Sequence, residues 1–351
     1  MMITSTTRRD WLALAGSALL APLALADGAA PLGRVRRRLF GSPVELLSAA
    51  PAHGALQTVG AGLQQIDARW NAWKPGELGQ LNRQLRTGRT ATPSPELAAM
   101  IRSAAVLERL SAGLFNPAIG GLVGAWGFHD DELRPGHRPA PAALASWTDA
   151  APSLAQLEWR GPQLRCHNPR LQLDFGAYAK GVAADWALDR LRALGVADAV
   201  VNLGGNLAAM GQAPGRPWRV GIRDPDSGNV APGWMATLET RGREAVVTSG
   251  TYERWRELDG ERAAHILDPH SGLPAQALVS VTVVHPSAAL ADAAATALLV
   301  AGPQRWAAVA ERLGVDQVLV IDPQRRALAT DRLMARLLPA TAEWQRRLRR
   351  A

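Results

Sequence analysis

Along this chain, apolar positions recur with a helical period in some stretches and an alternating one in others. Residues 35–47 read as two strands joined at the turn-forming triplet Gly41-Ser42-Pro43. Over 56–70, Leu56, Val59, Leu63, Ile66 and Trp70 fall on one face of a helix. A second helix covers 96–111 and stops at Gly113. Residues 130–153, rich in Pro, Ala, Asp and His, read as a surface loop. A short strand at 171–175 precedes a helix over 179–194 closed by Gly195, and a strand at 199–203 ends at Gly204-Gly205. Five β segments then cluster at 217–223, 234–240, 244–249, 254–259 and 263–267. A strand at 278–284, helices over 287–300 and 304–313, and a strand at 317–321 follow, and 332–350 reads as a terminal helix. The β runs group in the middle instead of alternating with helices, which predicts an α+β fold and not a doubly wound sheet. No repeat or linker interrupts the pattern. One mixed domain is therefore expected over 39–325, after a leader at 27–38 and before a C-terminal helical tail at 326–351.

Composition narrows the function. With 47% hydrophobic and 20% charged residues the chain is not of the disordered class. The net charge of +8 comes from scattered arginines. The basic run at 34–38 has no interleaved aromatics, so a nucleic-acid partner is not expected. Lysine occurs only at Lys74 and Lys180, in a chain that otherwise uses arginine, so both positions are candidates for needing a compact ammonium. Cys166 is the only cysteine, which excludes an intrachain disulfide.

The first 26 residues read as an export signal. Arg8-Arg9 precede an apolar run of about 15 residues that ends Ala24-Leu25-Ala26, a small-x-small pattern before Asp27. The run is shorter than the roughly 20 residues of a membrane span. The paired arginines point to the twin-arginine route and a periplasmic location, with no stable membrane span once the signal is removed.

Four stretches carry candidate chemistry. The first is Leu173-Asp174-Phe175-Gly176-Ala177-Tyr178-Ala179-Lys180-Gly181. Its small residues let a ligand approach the backbone, the following helix start offers free N–H groups to an anion, and Lys180 adds a charge. It is neither a GxGxxG nor a GxxxxGK[ST] motif. The second, Val247-Thr248-Ser249-Gly250-Thr251-Tyr252, offers hydroxyls beside a flexible glycine. The third, Ala264-His265-Ile266-Leu267-Asp268-Pro269-His270, ends a strand with a His and an Asp three apart, and His265 is a candidate base. The fourth is an alanine helix over 288–297 bearing Asp292 and Thr296 at i, i+4, one face that a hard cation such as Mg²⁺ suits. Each stretch also has a plain structural reading as a turn, a cap or a buried polar residue.

Taken together and in this order, the four stretches resemble the FAD:protein FMN transferase family, the ApbE family. The resemblance runs from about residue 39 to 321. It includes 71–78 and Leu81-Asn82, similar to the family's Ser-Thr-Tyr-x-Pro-x-Ser-Glu-Leu segment, and Gly113-Leu114-Phe115-Asn116-Pro117 with Trp126-Gly127-Phe128. It implies a mixed α+β domain with a central FAD cleft, and FAD contacts at Trp73, Phe115, Asn116, Pro117, Asp174, Lys180 and Ile266. It implies Mg²⁺ held by Asp292 and Thr296 with backbone oxygens near Ala177 and Ala295, and His265 as the group that helps activate the acceptor; Asp268, three residues on, is the other candidate to take the hydroxyl proton. The implied reaction moves FMN from FAD to a threonine of an exported or membrane-bound flavoprotein and releases AMP. An electron-transfer subunit or a regulator of nitrous-oxide respiration is a family-level acceptor. Trp73 stands where the family has Tyr, Asn116 where it has Asp, and Gly176-Ala177-Tyr178 where it has Gly-Gly-Ile. An FAD pyrophosphatase or a non-catalytic FAD binder are the alternative readings of the same residues.

Overall fold

The computed structural model describes residues 18–20, 32–130, 132–226 and 233–351. Its centre is a nine-stranded sheet: β1 Gly33–Leu39, β2 Ser42–Ser48, β3 Ala199–Leu203, β4 Asn206–Met210, β5 Glu244–Gly250, β6 Ser280–His285, β7 Val318–Ile321, β8 Ala327–Ala329 and β9 Leu348–Arg350. Each of these strands pairs with the next. Every pairing is antiparallel except the last, β8 with β9. The sheet is thus a meander into which helices are inserted, the α+β arrangement expected.

Five helices position the site: α1 His53–Trp70, α2 Glu77–Arg86, α3 Pro95–Leu110, α4 Ala179–Ala193 and α5 Ala288–Leu313. They cover one face of the sheet, where Val201, Ala208, Val247, Val281 and Val283 meet Leu63, Ala184 and the alanines of α5. The other face buries Val200, Leu207, Val246 and Val284 against Trp218, Ile222, Met235 and Leu238 of a small second sheet. Burial on both faces explains why the central strands read as continuous apolar runs and not as alternating ones. The second sheet contains Arg219–Arg223, Trp234–Glu239 and Leu338–Pro339, and Ala18–Leu20 pairs along its edge. The rest of the expected export signal lies outside the described residues. No helix among the described residues is long and apolar enough to cross a membrane.

Four expectations are corrected. The leader ends sooner, because residues 33–38 belong to β1 at the sheet edge. Residues 141–150 form an exposed helix, Pro141–Ala150; the proline that argued for a loop occupies the first helical turn, where its missing N–H costs nothing. Residues 171–175 are extended but make no strand. Asn82 clamps Leu173 from both sides, donating to its carbonyl (2.9 Å) and accepting from its N–H (2.8 Å). The segment 326–351 is not a helical tail. Two strands, two short helices and Leu338–Pro339 weave it into both sheets, with Leu333, Trp344 and Leu348 in the second core. Pro339 interrupts any long helix, and Arg336 forms a buried ion pair with Glu244 (2.7 Å) that ties the segment to β5.

Helices α4 and α5 cross with their backbones in contact. A Cβ on Gly181 would lie 2.3 Å from the carbonyl oxygen of Ala288. One turn on, Asp185 caps the start of α5, accepting from Ser287 Oγ (2.9 Å), Ala288 N (3.1 Å) and Ala289 N (3.0 Å). Gly181→Ala is therefore expected to destabilise the fold by about 1–3 kcal/mol through overpacking. Gly54→Ala, in open space on α1, is expected to be neutral or to stabilise by up to about 1 kcal/mol. Denaturant midpoints at constant m-value check both, and equal effects of the two substitutions would contradict the close contact.

Candidate active-site cleft

A cleft of about 300 Å³ opens at the ends of β4 and β5 and the first turn of α4, and all four stretches singled out in the sequence reach it. One end is built by the α4–α5 crossing. Asp292, only 3% exposed, accepts from Gly181 N at 2.9 Å. Burial raises its carboxyl above the usual range, against the pull of the Lys180 ammonium, the Gly181 N–H and the Asn206 amide. Thr296, one turn along α5, shares a hydrogen bond with Ser249 (3.1 Å). Gly181 has a different role from the one expected: it admits a helix and not a ligand.

The opposite wall is aromatic. Asn71 accepts from the backbone N–H of both Trp73 and Lys74 (2.9 Å each), turning the chain after α1. The Trp73 indole donates to Asp174 (3.0 Å) and lies 5.4 Å from the His129 ring. Asp174 also accepts from Gly176 N (2.8 Å), and burial raises its carboxyl despite these two donors. Asp174 thus orients the indole. Phe115 is buried against Tyr178, and Pro117 accepts from Asp174 N (2.8 Å). Asn116 has both ends of its amide occupied by the chain, donating to Pro152 O and accepting from Ala118 N.

Of the third stretch, His265 and Ile266 line the cleft and Asp268 does not. The Asp268 carboxylate accepts from His270 N (2.9 Å) and Ser271 Oγ (3.0 Å), holding a turn. The His265 ring faces Arg254 O through Nδ1 (3.0 Å), so Nδ1 carries the proton and Nε2 is left to accept. Burial, with the Arg254 and Lys180 charges, takes its pKa down to about 3. Ala177 lies on the cleft wall, whereas Ala295 is fully buried behind it.

Asn206 and Glu253 line the cleft and were not singled out in the sequence. Asn206 is 2% exposed, and its side-chain amide faces the Asp292 carboxylate and favours its charged form. The Gly204-Gly205 turn, with both glycines at positive φ, delivers it there. Glu253 follows the hydroxyl-rich stretch, and its buried Oε1 has no hydrogen-bond partner among the described residues. Burial lifts its pKa to about 7, with Asp292 adding to the shift and Lys180 and Arg223 opposing it.

A hard cation fits this end of the cleft. Asp292 is a buried carboxylate short of positive charge, and hydroxyl and backbone oxygens stand beside it. Among the described residues no group of three or more His, Cys, Asp or Glu side chains could hold a metal. A cation would therefore rely on one carboxylate with neutral oxygens, a set that suits Mg²⁺ and leaves positions for a phosphate ligand.

Because His265 is held neutral, its folded pKa lies below the unfolded value of about 6.5. The stability this confers is fully present above that value and is lost as pH falls toward about 3. His265→Asn should therefore lose less stability than the parent between pH 7 and pH 4. Equal losses in chemical denaturation at the two pH values would show an ordinary, solvated imidazole.

The family model described as ApbE family matches residues 40–319. A Rhodobacter capsulatus protein named FAD:protein FMN transferase is 41% identical over 92% of this chain, and the chain spans 62% of that relative's length. A Treponema pallidum protein of the same name is 34% identical over 82% of this chain and 83% of its own. Among solved structures, the flavin transferase ApbE from Vibrio cholerae superposes with a TM-score of 0.74 at 27% identity, covering 87% of this chain and all of that one (100%). An ApbE protein from Thermotoga maritima gives a TM-score of 0.78 at 22% identity and shares the fold. With the model spanning most of the chain and the α4–α5 cleft on the shared fold, this chain belongs to the ApbE family.

Proposed function

We propose that this chain transfers FMN from FAD to a threonine hydroxyl of another protein and releases AMP, with Mg²⁺ required. The observation that carries the reading is the convergence of Lys180, Asp292 and the oriented Trp73 indole on one cleft in a chain of this family. The name printed for the Rhodobacter and Treponema relatives supports the same activity.

Attack by the threonine Oγ on the FMN-side phosphorus forms one P–O bond and breaks the bond to the AMP phosphate, which departs with the electron pair. Asp292 and Thr296, with backbone oxygens near Ala177 and Ala295, would hold Mg²⁺, which would supply charge neutralisation at the pyrophosphate. Lys180 holds the same phosphates as a point charge at the start of α4. Trp73, fixed by Asp174, gives a planar surface for stacking. Ile266, Phe115 and Pro117 complete the apolar wall. His265 Nε2 accepts from the threonine hydroxyl and orients it. Asp268, tied up in its turn, is left out of the chemistry. The paired arginines ahead of the apolar run support export to the periplasm. The acceptor would then be an exported or membrane-bound flavoprotein, such as an electron-transfer subunit or a nitrous-oxide-respiration regulator.

Incubation with FAD and Mg²⁺, with and without a threonine-bearing acceptor, tests the reading. Flavin fluorescence that stays with the acceptor in a denaturing gel is the expected result. AMP release alone would mean water is the nucleophile, and neither product would leave only binding. In the same assay Asp292→Ala should lose at least about 100-fold in transfer while remaining folded. Lys180→Arg should transfer more slowly, because a planar fork replaces a compact charge beside a helix crossing. Parent rates in either variant would remove that residue from the site.

A further inference from the structure

We propose that Glu253 is the proton acceptor for the attacking threonine hydroxyl. This rests on the transferase reading above and adds a catalytic residue to it. Glu253 lies on the cleft wall, three residues beyond the end of β5, where Ser249 and Gly250 also line the cleft. Its Oε1 is buried and without a hydrogen-bond partner among the described residues. A buried carboxylate oxygen left in this way is costly, and a ligand that donates to it would relieve the cost. Two further acids of the cleft have donors from the chain, Asp174 the Trp73 indole and Gly176 N, and Asp292 the Gly181 N–H. Glu253 therefore retains an oxygen for a group the fold does not supply.

The neighbouring His265 is poorly suited to take the proton. Its Nδ1 is bonded to Arg254 O, and its ring is held neutral so far below neutrality that Nε2 is a weak base. It can orient a hydroxyl but gains little from protonation. Glu253 precedes Arg254, whose carbonyl holds the histidine ring, so both side chains reach the cleft from one local framework. The charges facing Glu253 come from Lys180 on α4, Arg223 on the second sheet and Asp292 on α5, with Tyr252 beside it. Burial outweighs the two cations and leaves the carboxyl at about 7, matched to a proton transfer at neutral pH. In the step, the Oγ–H proton passes to the Glu253 carboxylate, the Oγ–P bond forms, and the electron pair of the breaking P–O bond leaves on AMP. The protonated carboxyl then returns its proton to solvent when product departs.

The test uses the full chain with FAD, Mg²⁺ and a carrier protein fused to a peptide with one threonine flanked by Gly, Ala and Ser. Transfer rate, AMP release, FAD affinity and melting temperature are measured from about pH 5.5 to 8.5, a window that brackets the titration. Glu253→Gln should lower kcat by about 10²-fold or more, keep FAD affinity within a few-fold and lose the rise in rate centred near neutrality. Glu253→Asp should recover part of the rate. His265→Asn should be slower but keep the parent's pH profile. Overturning results are a Glu253→Gln variant that transfers at the parent rate, or one that loses FAD affinity and melting temperature in step with rate while its pH profile is unchanged. A parent that labels no acceptor and releases no AMP would instead sink the transferase reading on which the proposal stands.

Discussion

At Gly181 two helices touch through their backbones, and the rest of the site depends on that contact. The contact brings the first turn of α4 under the second turn of α5, close enough for Gly181 N to reach the Asp292 carboxylate at 2.9 Å. Asp185, one turn along α4, locks the crossing by capping α5 with three hydrogen bonds. Any larger residue at position 181 would separate Lys180 from Asp292, and with them the proposed phosphate and cation ends of the cleft. The alanines of α5 serve the same geometry, because only small side chains allow that helix to lie flat on β5 and β6 while α4 crosses it.

Around this contact the fold buries polar groups that nothing within it fully satisfies. Asp292 and Glu253 are lifted toward the protonated state by burial, and His265 is driven to the neutral one. Each shift disfavours charge in a low-dielectric cleft, and each is relieved differently by a ligand. In the proposed reaction a cation would answer Asp292, a proton donor Glu253, and a hydroxyl the free nitrogen of His265. Asp174 is the contrasting case, since its two donors already come from the chain and its work is to aim an indole.

Much of this was legible in the sequence because the signals were local. The 3.6-residue period of α1, Gly195 closing α4 and the Gly204-Gly205 turn are each determined by neighbours in the chain. The i, i+4 pair Asp292 and Thr296 was readable because an alanine helix has nothing else polar to present. Features set by distant residues were not legible. The Asn82 clamp on Leu173 spans 91 positions, and the Trp73–Asp174 bond spans 101. Asp268 looked catalytic beside His265, yet its turn commits both its oxygens to local donors. Glu253 looked ordinary, because only the folded cleft shows that its oxygen lacks a partner. The C-terminal segment misled through composition: arginine- and alanine-rich text suggested a helix, while Pro339 and the buried Trp344 tie it to the sheets.

The central claim is that one helix crossing creates a single site for a cation and a pyrophosphate together. The most direct measurement is the FAD dissociation constant, by titration calorimetry, across a series of Mg²⁺ concentrations. The account predicts mutual tightening, with Mg²⁺ strengthening FAD binding by about 10-fold or more and FAD strengthening Mg²⁺ binding by the same factor. FAD affinity that does not change with Mg²⁺ would contradict it, because the two ligands would then occupy independent sites.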